Sequence, residues 1–153
     1  MNNDLDAIFA ILTSAAADAS AKYDKWIVID SAYAQQTALS THDYQQVLTH
    51  ILTLIEQYPE LDYGGPGPFG TLIEAQPVGA YSQQLLDSLH RQPSIQVIGW
   101  LNRTMRMDGS ERSISGGVSE VDFTEALRMV LQHPLASEDC KSFAELCLTD
   151  LAQ

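Results

Sequence analysis

Apolar residues recur at intervals of three and four along most of this chain, which is the pattern of amphipathic helices. The pattern is clearest over 42–58, where Thr41 is placed to cap the start and Pro59 stops the helix. Seven residues there form one apolar face: Tyr44, Val47, Leu48, Ile51, Leu54, Ile55 and Tyr58.

The same periodicity predicts further helices on both sides of this one. The first covers 4–22, with Asn3 or Asp4 as its N-cap and an apolar face made of Leu5, Ile8, Phe9 and Leu12. In the second half, serines are placed to cap three helices, and the most complete signal is Ser119, with an acid three residues on, as in a capping box. The predicted helices of this half cover 71–76, 80–91, 95–107, 119–132 and the residues after Ser137.

The run Lys25–Asp30 (KWIVID) fits two kinds of structure. Four consecutive bulky apolar residues, with two isoleucines around a valine, are typical of a short buried strand, and equally of a buried helix that runs to about Gln36. A strand needs a partner, and the chain has no second strand-like run to pair with it. We therefore favour a helix over 25–36.

The segment 62–70 interrupts the helical pattern. Its four glycines permit backbone angles closed to other residues, and Pro66 and Pro68 lack N–H donors. We expect an irregular joint here, through which no helix or central strand runs. The overall prediction is an all-α protein, with a single domain over 1–153 that forms a helical-repeat-like array of about seven or eight antiparallel helices.

The chain is strongly acidic, and the charge is unevenly distributed. The net charge is −12, and residues 1–90 hold 11 acids against two bases. A field of this sign repels nucleic acid and anionic membranes and attracts a basic partner, although acidity also serves solubility alone. The acidic N-terminus is unlike a signal peptide, and no apolar run reaches the roughly 18 residues that span a bilayer. We therefore expect a cytoplasmic protein with no membrane partner.

No motif for catalysis or for a cofactor stands out. The glycine-rich segment lacks the Gly-Lys-Ser/Thr ending of a phosphate loop. The four histidines are scattered without the spacing of zinc ligands, so no metal site is expected. Cys140 and Cys147 are about 10 Å apart along a helix, beyond disulfide reach, and are expected to be small buried apolar residues. The sequence predicts neither an enzyme nor a cofactor.

Three polar residues are candidates for a structural network. The helix over 95–107 has a wide apolar face that includes Ile95, so Asn102 and Arg103 on a mostly buried helix need hydrogen-bonding partners. The glycine–proline loop has many carbonyl groups that need donors. We predict that Asn102 or Arg103 binds this loop, with Glu74 as a candidate ion-pair partner.

Three stretches together resemble a known family. They are Leu61–Glu74 (LDYGGPGPFGTLIE), Tyr81–Pro93 with its closing Arg-Gln-Pro turn, and Gly99–Arg103 (GWLNR). An acidic-aromatic glycine–proline element, an Arg-x-Pro turn and a Trp-Leu-Asn-Arg helix in this order are similar to small bacterial immunity proteins of the contact-dependent growth inhibition type, encoded beside polymorphic toxins. The resemblance covers roughly 60–106.

The resemblance implies an immunity protein that binds one cognate bacterial toxin in the cell and blocks its active site or substrate surface, with no activity of its own. Many such toxins are nucleases with basic grooves, which an acidic binder complements. The expected contacts are exposed acids and aromatics near the joint: Glu56, Glu60, Asp62, Tyr63 and Asp87. Two other classes stay open, namely a helical adaptor with an apolar groove for a protein or peptide and an enzyme with a deep polar pocket.

Overall fold

The computed structural model of the protein describes residues 3–107 and 117–152, without the side chain of Asn3. These residues form eight α-helices and no strand, so the predicted all-α class and the number of helices are confirmed. A short 3₁₀ helix, Val78–Ala80, precedes the fifth α-helix. The α-helices are α1 Asn3–Lys22, α2 Trp26–Leu39, α3 Tyr44–Gln57, α4 Gly67–Ile73, α5 Ser82–Arg91, α6 Ile95–Met105, α7 Glu120–Val130 and α8 Glu138–Leu151.

The chain divides into two compact units, residues 1–75 and residues 76–153. The first contains α1 to α4 and the second contains α5 to α8. Each unit buries apolar side chains of its own helices. The single domain predicted over 1–153 stays a prediction.

The first unit is built on the packing of α1 against α2 and α3. α1 buries one residue in every three or four along its length: Leu5, Phe9, Leu12, Ala16 and Ala19. The two alanines add little side-chain volume, which lets the neighbouring backbone approach closely. Ile8, predicted on the same face, is only half-buried.

The run that fits both a strand and a helix is helical. α2 begins at Trp26 and continues to Leu39, three residues beyond the predicted end. At its start the carboxylate of Asp24 accepts a hydrogen bond from the N–H of Trp26 at 3.1 Å. One side of α2 buries Val28, Ile29, Ala32 and Leu39. A lone strand would have left its backbone polar groups unpaired, whereas a helix pairs them internally.

Two predicted caps in the first unit are wrong. Asn3 and Asp4 lie inside the first turn of α1, so neither is its N-cap. Asp43 caps α3 instead of Thr41, because its carboxylate accepts a backbone N–H of the first turn at 3.0 Å. The hydroxyl of Thr41 donates to the carbonyl group of Ala38 at the end of α2.

The glycine–proline segment contains a helix, contrary to the prediction that none runs through it. α4 begins at Gly67, inside the predicted joint 62–70, and replaces the short helix predicted over 71–76. Pro66 and Pro68 do not prevent this, because the first residues of a helix need no N–H donor.

The three serine caps predicted in the second unit are confirmed. Ser94 accepts a backbone N–H at 3.2 Å, and Ser119 and Ser137 do the same at the starts of α7 and α8. The buried hydroxyl of Ser82 accepts a hydrogen bond from the N–H of Val118 at 3.0 Å. This bond fixes the chain just before α7.

The second unit buries most of the apolar residues that its helices carry at intervals of three and four, while Leu131, Phe143, Leu148 and Leu151 are only half-buried. Ile95 differs, since it begins α6 and is 37% exposed, whereas the rest of its predicted face is buried. Cys140 and Cys147 are buried free thiols, as predicted. Burial raises the pKa of the Cys147 thiol, so the thiol stays in its neutral form.

Tyr23, which follows the last residue of α1, has a φ of +54°, in the left-handed region that favours glycine. The N–H of Asp24 bonds the carbonyl oxygen of Ala19 at 3.0 Å, as in a Schellman helix end. Because the Tyr23 side chain is 97% exposed, Tyr23→Gly removes strain without removing core contacts.

We expect Tyr23→Gly to raise the free energy of unfolding by about 0.5–1 kcal/mol in urea denaturation. This net gain is the strain relieved in the folded state minus the cost of the greater flexibility that glycine gives the unfolded chain. The matched control is Tyr33→Gly in the interior of α2, which should lower it. A loss of stability in Tyr23→Gly as large as that in the control would contradict the analysis of this turn.

Candidate functional site

The segment 58–73 is held in place by aromatic and amide side chains of the first unit. The ring of Tyr63 lies 5.9 Å from that of Phe69, and both side chains are buried. The amide of Gln36 on α2 donates to the carbonyl group of Pro68 at 3.2 Å. The hydroxyl of Tyr44 on α3 donates to the last carbonyl group of α4 at 2.6 Å. The Tyr44 hydroxyl thereby satisfies a carbonyl group at the C-terminal end of α4, which has no helical N–H to accept, and Gln36 adds a bond to the first turn of the helix.

Tyr63 is a core residue, so its predicted exposure is wrong. Its side chain is 1% exposed, and its hydroxyl donates to the carbonyl oxygen of Tyr58 at 3.0 Å. Burial raises the pKa of the phenol, which keeps it in the neutral form that donates this bond. No short-range pattern predicts this burial, because the ring that Tyr63 contacts, Phe69, lies beyond three glycines and two prolines.

Three of the four predicted acids near the joint belong to the first unit. Glu56 lies in the last turn of α3 and is half-buried, and Glu60 and Asp62 are exposed in the loop that follows. Asp87 belongs to the second unit, on α5, where it accepts a hydrogen bond from the side chain of Gln83 at 2.9 Å. Whether any of these residues contacts a partner stays a prediction.

Asp62 is the most constrained of these acids. One carboxylate oxygen accepts the N–H of Gly64 at 2.8 Å, and the other lies 3.1 Å from the ammonium group of Lys25. The Gly64 hydrogen bond, helped by Lys25 and opposed by partial burial, holds the pKa of Asp62 below its ordinary value. Gly64 has a φ of +95°, and a Cβ there would approach the Cα of Gly67 to 2.9 Å. Glycine at 64 is therefore required for this turn.

The first unit carries an unbalanced negative charge. Residues 1–75 contain ten acids and only two bases, Lys22 and Lys25. Both lysines are already engaged, with Lys22 lying 3.1 Å from Asp18 and Lys25 lying 3.1 Å from Asp62. Ten acids against two bases give this unit a formal charge of −8, with histidine counted as neutral.

An open groove of about 770 Å³ lies between α1 and α3. Small and apolar side chains form most of its lining, including Phe9, Ala10, Thr13, Ala17, Thr53 and Leu54. At one end His50 on α3 approaches α1, with its ring 5.0 Å from the ring of Phe9 and its Nε2 atom 3.2 Å from the carboxylate of Asp6. The groove surface is thus mostly apolar, with threonine, serine and glutamine side chains along it and the Asp6–His50 pair at one end.

His50 has no ring nitrogen left for catalysis in this arrangement. Its Nδ1 atom faces the carbonyl oxygen of Gln46 at 2.7 Å, which requires an N–H there. Its Nε2 atom faces the carboxylate of Asp6, an acceptor as well. A general base needs a free lone pair directed at a nucleophile or substrate, and both nitrogens of His50 are occupied.

A smaller, more polar cavity of about 470 Å³ lies in the second unit beside α6 and α8. Asn102 and Arg106 line it, and the guanidinium group of Arg106 lies 3.7 Å from the carboxylate of Asp150. Over residues 3–107 and 117–152, no group of three or more histidine, cysteine or acidic side chains is arranged to hold a metal ion.

The predicted network of Glu74, Asn102 and Arg103 combines residues of both units. Glu74 follows the last residue of α4, with its N–H bonded to the carbonyl group of Gly70 at 2.9 Å. Asn102 is half-buried and Arg103 is exposed, so α6 is less completely buried at this point than predicted. Their interaction with the loop stays a prediction. The described donors to α4 are Gln36 and Tyr44, which sequence reasoning did not nominate because their targets are distant in the chain.

None of the helices in the described part of the chain has the length and apolar character that crossing a membrane requires. Comparison of the chain with protein-family models, with curated proteins and with solved structures finds no significant match.

The lowered pKa of Asp62 predicts a pH-dependent contribution to stability. The folded pKa lies below the ordinary value of 3.8, so the contribution is present above that value and is lost as pH falls through the folded pKa. Because the carboxylate is largely exposed, we expect Asp62→Asn to cost less than about 1 kcal/mol at neutral pH. The difference between wild type and variant in urea denaturation should shrink below about pH 4.

The control for this prediction is the same substitution in a Lys25→Met background, which removes the ion pair but leaves the Gly64 hydrogen bond. A substantial part of the effect should persist there, because the Gly64 hydrogen bond is the larger cause of the lowered pKa. An effect that disappears with Lys25, or that grows as pH falls, would contradict this assignment.

Proposed function

We propose that this protein is a bacterial immunity protein that binds a cognate toxin domain and covers its active site or substrate surface. The toxin is basic, and a nuclease with a cationic groove for nucleic acid fits this description best. The protein contributes no catalysis, cofactor or metal of its own and acts in the cytoplasm, where the toxin would otherwise reach its target.

The observation that supports this proposal is the net negative charge of residues 1–75, which hold ten acids against two bases. Their two lysines are paired with Asp18 and Asp62, so the field of this unit is negative over its exposed acids. A negative field accelerates encounter with a basic protein and repels the phosphates of nucleic acid. The groove of a nuclease is positively charged because it binds nucleic acid. An inhibitor that occupies this groove therefore needs a negative charge, like the nucleic acid that it excludes.

The acids at the end of α3 and in the next loop are the proposed contacts. Glu56, Glu60 and Asp62 lie close together in the sequence on a segment that buried Tyr63 fixes in place. Preorganisation matters because a loop that must be ordered on binding loses affinity. Asp87 is a separate proposed contact in the second unit. The buried side chain of Tyr63 supports the loop that carries Glu60 and Asp62.

The experiment is co-expression of this protein with the toxin domain encoded beside it, scored by survival, followed by affinity measurement on the purified complex. We expect rescue and a complex that weakens as salt rises, because exposed charges are screened at high ionic strength. Toxicity that persists, together with failure to co-purify at low salt, would overturn the proposal.

A charge reversal at Glu60 tests the proposed surface. We expect Glu60→Lys to slow association by about fivefold or more at low salt. Glu145→Lys is the matched control, since this exposed acid of α8 changes the net charge equally but lies in the second unit. Equal effects of the two variants would mean that net charge alone steers binding.

The groove between α1 and α3 favours a second candidate function, that of a helical adaptor. A mostly apolar groove with Asp6 at one end suits a basic amphipathic helix. The probe is a helical peptide with leucines at positions i, i+3, i+4 and i+7 and lysines elsewhere. If the adaptor function holds, the peptide binds, and Ala10→Trp, which fills the groove from an exposed position, weakens binding by about tenfold or more.

Ala38→Trp is the control for this prediction, because Ala38 is also exposed but lies outside the groove. No binding of the peptide, or equal binding by both variants, would remove the adaptor function. In the toxin rescue assay, the immunity function predicts that Ala10→Trp still protects the cell.

A further inference from the structure

One face of α2 presents two large aromatic side chains and an acid to solvent. Trp26 is 57% exposed and Tyr33 is 54% exposed, with the exposed carboxylate of Asp30 between them. Spacings of four and three residues place all three on the same side of a helix. Along the axis, Asp30 is about 6 Å from Trp26 and about 4.5 Å from Tyr33.

None of these three side chains belongs to the core of the first unit. α2 is attached to the first unit by its opposite side, through Val28, Ile29 and Ala32. Within residues 3–107 and 117–152, Asp30 forms no ion pair, and neither the indole N–H of Trp26 nor the hydroxyl of Tyr33 forms a hydrogen bond. Exposed Trp and Tyr are the side chains that contribute most at protein interfaces.

The chain itself shows that the Trp26 ring accepts a cation. The ammonium group of Lys25 lies 5.4 Å from the ring centroid and is also held by Asp62. The carboxylate of Asp24 accepts a hydrogen bond from the backbone N–H of Trp26, which holds the backbone of Trp26 in place. The indole is therefore positioned by its neighbours while more than half of its surface stays open.

We propose that Trp26, Asp30 and Tyr33 form a binding face for arginine side chains of a basic protein partner. A guanidinium group can stack on an aromatic ring and make two parallel hydrogen bonds to a carboxylate. This face presents aromatic rings and a carboxylate close enough for one arginine side chain to contact a ring and the carboxylate together. The negative field of residues 1–75 favours such a partner over nucleic acid. That the partner is a toxin rests on the proposed function. The face on α2 adds a contact surface to that function.

The test uses the full-length protein and a defined probe, the peptide Arg-Gly-Gly-Arg-Gly-Gly-Arg with blocked ends. An extended chain places its successive arginines about 10 Å apart, which matches the separation of Trp26 and Tyr33 along α2. Binding is followed by NMR through the indole N–H signals. The chain has two tryptophans, and Trp100 is buried in the second unit, so its signal is an internal reference.

We expect the peptide to shift the Trp26 signal and leave the Trp100 signal in place. Asp30→Asn and Tyr33→Leu, which both keep the Trp26 signal, should each weaken binding by about fivefold, and a lysine version of the peptide should bind more weakly than the arginine version. Asp4→Asn is the matched control, because Asp4 is an exposed acid of the same unit without an ion pair among the described residues. Binding that is equal in Asp30→Asn and Asp4→Asn, or absent at low salt, overturns the inference.

The toxin complex provides a separate comparison. If wild-type protein binds the toxin and the double variant Trp26→Leu, Tyr33→Leu binds it equally well, this face is not the contact and the proposed function stands. If the arginine peptide binds the face but the toxin does not bind the protein, the proposed function fails and the arginine-binding face stands.

Discussion

The burial of Tyr63 against Phe69 determines the course of the chain between α3 and α4. Without this pair, the glycines and prolines of the segment would have no apolar anchor, since neither residue type supplies a large side chain. Gln36 and Tyr44 then satisfy carbonyl groups of α4, and Asp62 accepts the N–H of Gly64. The surface acids of this region are therefore presented on a fixed backbone, although the sequence there has the composition of a flexible loop.

Much of the architecture follows from short-range patterns. The helices, the serine caps of the second unit and the buried cysteines were predictable because each depends on spacing within a few residues. The helical state of 25–36 followed from the lack of a second strand to pair with. Helix boundaries were less accurate, as Asp43 and Thr41 show, because neighbouring residues of similar capping ability compete for one turn.

The candidate site was harder to predict because it depends on contacts between distant parts of the chain. Tyr63 is core although it is predicted at the surface, since its anchor Phe69 lies beyond three glycines and two prolines that give no periodic apolar pattern. The exposed face of α2 was missed for a related reason. The apolar run KWIVID predicts burial but does not show which of its residues are buried. The orientation of α2 in the structure shows that Trp26, Asp30 and Tyr33 are exposed on the same side of the helix.

We propose that a basic protein contacts the negatively charged surface of residues 1–75. The most direct measurement is hydrogen exchange of the full-length protein, alone and in complex with the toxin domain, at low salt. We predict slower exchange on binding in α2 and in the segment 56–64, with little change in α7 and α8. Protection confined to α7 and α8, or protection that does not diminish as salt is raised, would contradict the account.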